Sequence, residues 1–112
     1  MLAQADSNAL SRIRQMAIEF HDMTSFIEPS WRKTALAALT KLMSTHVCVH
    51  IHGNNWGPFT VIGGIPFPTA FEASFARRSD YEFVPSTEVF PTELDRSCNP
   101  KSADLYLGTW DY

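Results

Sequence analysis

The stretch Val47-Cys48-Val49-His50-Ile51-His52-Gly53-Asn54-Asn55-Trp56 decides how this chain is read. It alternates like a strand and then breaks into a polar turn. Alternation predicts Val47, Val49 and Ile51 on one face and Cys48, His50 and His52 on the other. Three of the four histidines fall between His46 and His52. Two imidazoles on one strand face, followed by Gly-Asn-Asn, suggest the wall of a site rather than plain scaffold.

The residues before it supply the rest of a folding unit. Met16, Ile18 and Phe20 alternate with Ala17, Glu19 and His21, which predicts a strand over Arg14–His21. Trp31, Ala35, Leu36, Leu39, Leu42 and Met43 recur at helical spacing, which predicts an amphipathic helix from Trp31 to about Ser44 capped by Ser30. A helix linking two strands over so short a span is a βαβ crossover and implies parallel pairing. Upstream, Ser7–Arg14 has the pattern of one or two helical turns, with Ser7 or Asp6 as the cap.

After the turn, Gly53–Pro68 is rich in Gly, Asn and Pro, with a short strand expected at Thr60–Ile62. Phe71, Ala73 and Phe75 alternate with Glu72, Ser74 and Ala76, giving a third strand over Thr69–Arg77. It has no second crossover helix before it, so it pairs antiparallel. Residues 79–112 show little periodicity and read as irregular, apart from a short terminal strand within Leu105–Trp110. The expected fold is α/β: one domain over residues 1–112, with a small mixed sheet, a βαβ crossover and an added antiparallel strand.

Composition narrows the function. The chain has 112 residues, enough for one domain. Hydrophobic residues make up 45% and aromatics 12%, which argues against disorder. Nine basic against twelve acidic residues give a net charge of -3, with no general attraction to nucleic acid or acidic lipid. No apolar run approaches the ~20 residues needed to span a bilayer. Met1–Asp6 lacks the basic start and apolar stretch of a signal peptide. Cys48 and Cys98 form no C-x-x-C pair, so reduced thiols and a cytoplasmic location are expected.

The run Ile18-Glu19-Phe20-His21, a helix, His50-Ile51-His52-Gly53-Asn54-Asn55, and then Phe71-Glu72-Ala73-Ser74-Phe75-Ala76-Arg77-Arg78 resembles the C-terminal half of FkbM-type methyltransferases that use S-adenosylmethionine. The resemblance covers roughly Arg12–Leu107. It implies that the three strands are the fifth, sixth and antiparallel seventh of a Rossmann-like methyltransferase fold, with the helix as the last crossover. The family's cofactor site lies in the other half, around a Gly-rich loop that this chain does not contain. Gly63-Gly64 sits between short strands and does not fit a cofactor loop. The resemblance therefore implies a half-domain that binds no cofactor alone, and S-adenosylmethionine only where a partner chain supplies the missing half.

Sites in open α/β sheets form at the C-terminal ends of parallel strands. Glu19 and His21 end the first strand. His50, His52, Asn54 and Asn55 end the second, and antiparallel pairing brings Glu72 to the same rim. Three readings stay open for this group: a buried polar network, an acceptor-substrate pocket with a histidine as general base, or a metal site. Arg77-Arg78 is either an anion grip or a solvated strand end. One helix cannot cover both faces of such a sheet, and the first strand has an unpaired edge, so self-association as a homodimer is expected.

Overall fold

The computed structural model describes residues 6–110. The reading of the first five residues as lacking a leader lies outside them. The expected Ser7–Arg14 helix is a single turn, α1 (Ser7–Leu10). Asp6 Oδ1 accepts the Asn8 amide at 3.0 Å. Strand β1 spans Gln15–Phe20. After a short 3₁₀ turn at Met23–Ile27, helix α2 runs Pro29–Thr45. It begins two residues earlier than its apolar stripe predicts because Pro29 takes the first helical position, where a missing N–H costs nothing. Ser30 is thus inside the helix, and its carbonyl accepts the Thr34 hydroxyl rather than the residue capping the end.

Strand β2 (His46–Gly53) follows at once, and a hairpin of β3 (Phe59–Ile62) and β4 (Ile65–Pro68) comes next. Gly63 and Gly64 make its two-residue turn with φ of 57° and 82°. Positive φ at both positions is what such a turn demands and what glycine tolerates. Strand β5 (Phe71–Arg77) completes the main sheet. The short strands β6 (Val89–Phe90) and β7 (Gly108–Thr109) pair antiparallel in the C-terminal segment. The expected terminal strand within Leu105–Trp110 is thus only two residues long.

The sheet order is β1-β5-β2, and β5 is antiparallel to both neighbours. The expectation of a mixed sheet with directly paired parallel strands is therefore corrected. β1 and β2 do run in the same direction, as a crossover through α2 requires, but β5 occupies the slot between them. The reason lies in β5 itself. Ala73, Phe75 and Ala76 are buried, and a strand so apolar gains most from the central position.

A second correction concerns β2. The register pairs Cys48 with Phe75 and then His50 with Ser74, so Val49 is an extra residue, a β-bulge. Directly opposed residues share a face. Val47 therefore joins His50 and His52 on the face of Ser74 and Glu72, while Cys48 and Ile51 join Phe75 and Ala73 on the other. Val49 itself is 49% exposed.

Helix α2 covers the Phe75 face. Leu42, Ile51, Ala73, Phe75 and Phe90 form the buried core, with Met16, Ile18, Phe20 and Phe71 packed against it. Phe20 and Phe71 stack with ring centroids 4.9 Å apart. Among the described residues, no α-helix is packed on the opposite face. Near β2 it is met by Asp95 and Asp104 of the segment 79–110, whose backbone is mostly irregular. Arg77-Arg78 is explained here too. Arg77 holds Asp80 (2.8 Å) and the Ser11 carbonyl (2.8 Å), and Arg78 Nε donates to the Met43 carbonyl near the end of α2 (2.9 Å). Among the described residues, no helix is long and apolar enough to cross a membrane.

Candidate functional site

The register puts Glu19, Glu72 and His52 in one row across the three strands, with Ala17, Ser74 and His50 in the next. The four candidates Glu19, His50, His52 and Glu72 thus share the face away from α2. They do not bond to one another. Each histidine instead turns to an aspartate from the segment 79–112.

His50 Nε2 lies 2.8 Å from Asp95 Oδ1, and His52 Nε2 lies 2.8 Å from Asp104 Oδ2. An ionised carboxylate only accepts, so each bond is an Nε2–H donating to oxygen, which leaves Nδ1 as the basic nitrogen of a neutral ring. Asp95 is fixed in turn: its Oδ2 accepts the Thr92 amide (2.7 Å) and the Thr92 hydroxyl (3.0 Å). Burial alone would push the Asp95 pKa up, but the Thr92 amide and hydroxyl and the His50 ring together hold it below the usual carboxylate value.

The two pairs differ in access. The His52 side chain is 7% exposed and the His50 side chain 33%. His50 lines a cavity of 610 Å³ together with Val49, Phe90, Thr92, Leu94 and Asp95. The Phe90 ring meets the imidazole edge-on at 5.3 Å. An oriented, partly open imidazole backed by a carboxylate can take a proton from a hydroxyl or orient a polar ligand. His52 has the same chemistry but is closed off, and it serves to bind Asp104 to the strand.

Of the remaining predicted residues, the exposed Glu19 and His21 and the half-buried Asn54 form a separate group. Glu19 Oε2 lies 3.3 Å from His21 Nε2, and Asn54 Nδ2 approaches Glu19 Oε1 at 3.4 Å. Asn54 Oδ1 accepts the Trp56 amide and shapes the turn. Glu72 is exposed. Asn55 does something else. Its Nδ2 donates to Ser97 Oγ (2.6 Å) and the Ala103 carbonyl (3.0 Å), and its Oδ1 accepts the Asn99 amide (2.7 Å). It fastens the C-terminal segment to the end of β2. Among the described residues no group of three or more His, Cys, Asp or Glu side chains is arranged to hold a metal ion. His50 and His52 face separate aspartates instead.

Asp95 and Asp104 are the residues sequence reasoning missed. A signal for the first was present. Thr92-x-x-Asp95 has the spacing of a capping box, in which a carboxylate reaches back to an amide three residues earlier. Asp104 lies in a run without periodicity. Comparison with known proteins adds no relative to this geometry: no family model, no curated protein and no solved structure matches the chain.

Proposed function

We propose that this chain is a methyltransferase-related C-terminal half-domain that carries the acceptor side of a site and is not catalytic alone. The observation that supports this most directly is the path of the sheet. A strand, a crossover helix, a second strand in the same direction and an antiparallel third leave the outer edge of β1 unpaired among the described residues. On the resemblance to FkbM-type methyltransferases, that edge is where a fourth strand from the cofactor half would pair. His50, aligned by Asp95, would then act as general base toward an acceptor hydroxyl. S-adenosylmethionine would come only with a chain that supplies the missing half. Cys48 and Cys98 suit the reducing conditions of the cytoplasm.

The test is a chimera. The cofactor half of an FkbM-type methyltransferase, ending at its fourth strand, is fused ahead of Arg12. Calorimetry should detect S-adenosylmethionine binding by the folded fusion and none by the chain alone. Micromolar binding by the chain alone, or a folded fusion whose cofactor binding does not change with the His50 half present, overturns the reading.

The cavity beside His50 favours a second reading, in which the chain is a stand-alone module for a small polar ligand. Under it, the same dyad orients a ligand and transfers no methyl group. Ligand-induced shifts of the His50 ring resonances in the unfused chain would favour this reading over the first.

A further inference from the structure

We infer that in the chain alone, where no cofactor half occupies it, the open edge of β1 is an interface for a second copy of this chain, closed by antiparallel self-pairing about a two-fold axis. This does not rest on the ligand reading of His50.

The first observation is the direction of the backbone groups. The Arg14 carbonyl accepts the Arg77 amide at 2.9 Å, so Arg14 faces β5. In an antiparallel ladder this alternates, so Met16, Ile18 and Phe20 also direct their main-chain groups to β5. The amides and carbonyls of Gln15, Ala17 and Glu19 point outward. The strand Gln15-Met16-Ala17-Ile18-Glu19-Phe20 contains no proline and its register shows no bulge, two of the devices that keep an edge from pairing.

The second observation is charge. Arg12 and Arg14 flank one end of the strand, Arg14 also holding Asp80 at 3.0 Å while its side chain stays 70% exposed, and Glu19 and Asp22 stand at the other. Antiparallel self-pairing sets the basic end of one copy against the acidic end of the next. A parallel arrangement would set like against like. With Ile18 on the axis, Met16 faces Phe20 of the second copy, Ala17 faces its Glu19, and Arg14 faces its Asp22. No like charges are opposed.

The third is the groove beside the edge. Between β1 and α2 lies an apolar hollow of 630 Å³ lined by Ile18, Phe20, Phe26, Trp31, Ala35 and Leu39. A two-fold axis perpendicular to the sheet keeps both helices on the same face. The two hollows then meet across the axis and cover each other. The result is a continuous six-stranded sheet with one helical layer.

The experiment uses the full chain. Sedimentation should give twice the 12.6 kDa chain mass. The Ala17→Pro variant removes an outward amide and leaves the β5 ladder intact, so it should be monomeric with an unchanged circular dichroism spectrum. In the proposed register the Ile18 Cα atoms of the two copies come within about 4.5 Å, as a non-hydrogen-bonded pair. That spacing permits a disulfide. Ile18→Cys should therefore cross-link into a covalent dimer on oxidation, while the wild-type chain, with Cys48 and Cys98, should not. A monomeric wild-type chain overturns the proposal. So does a dimer in which Ile18→Cys does not cross-link, and so does a different chain bound one-to-one in place of the second copy.

Discussion

His50 and His52 stand two residues apart on one strand, each 2.8 Å from an aspartate of the same C-terminal segment. Their chemistry is identical and their surroundings are not. The His52 ring is shut in, while the His50 ring opens onto a cavity. The difference shows that burial, rather than residue type or spacing, decides which of the two rings is open to solvent.

Exchanging their roles by mutation is the most direct way to break that comparison. His52→Ala should have the largest effect on stability. It strands a mostly buried Asp104 carboxylate, and an unsatisfied buried group typically costs about 1–3 kcal/mol. For a domain of this size that is a fall in Tm of roughly 4–8 °C per kcal/mol, readable by calorimetry. A loss no larger than that of His50→Ala would remove the distinction.

His50→Ala should be milder, because water from the cavity can reach Asp95, and a cost of about 1 kcal/mol or less is expected. Its larger effect should be on any ligand bound in the cavity, measured by titration against the wild type. His52→Ala should leave that binding nearly intact wherever the protein remains folded.

Acid sharpens the comparison further. The Asp95 pKa is lowered in the folded protein, so its contribution to stability is present above the unfolded carboxylate value and is lost as pH falls through the folded one. Asp95→Asn should therefore be less stable than the wild type near neutral pH, with the gap narrowing below about pH 4. Urea titrations at several pH values would show it; a gap that widens in acid would contradict the assignment. Smallest of all is Glu19→Gln. Its contacts to His21 and Asn54 are long and exposed, and exposed pairs contribute little, so no measurable change in Tm is expected.

Much of the fold was legible in the sequence, and the limits have physical causes. Alternation located the three main strands and helical spacing located α2, because each signal is local. The insertion of β5 between β1 and β2 was not legible, since it depends on which strand gains most from the centre. The bulge at Val49 breaks the alternation without leaving a mark, as valine suits either face of a strand. Glu19, His50, His52 and Glu72 were assigned to one face correctly, yet their bonding partners were not among them. Asp95 and Asp104 come from residues 79–112, and a contact across that many residues has no period to reveal it. Asn55 was singled out for a ligand and instead ties down the chain.

The single extra residue at Val49 works as a phase shift. Upstream of it, His46 shares the face of the core. Downstream, His50 and His52 face the cavity and the C-terminal segment. Were Val49 held in a regular ladder instead, the two halves of β2 would be incompatible: keeping His46 and Cys48 in place would turn both imidazoles into the core under α2, and keeping the imidazoles would expel His46 and Cys48 from it. Deleting Val49, by contrast, would leave a regular ladder with each of these side chains on its present face, so the bulge is what lets the chain carry one more residue without turning over either half of the strand.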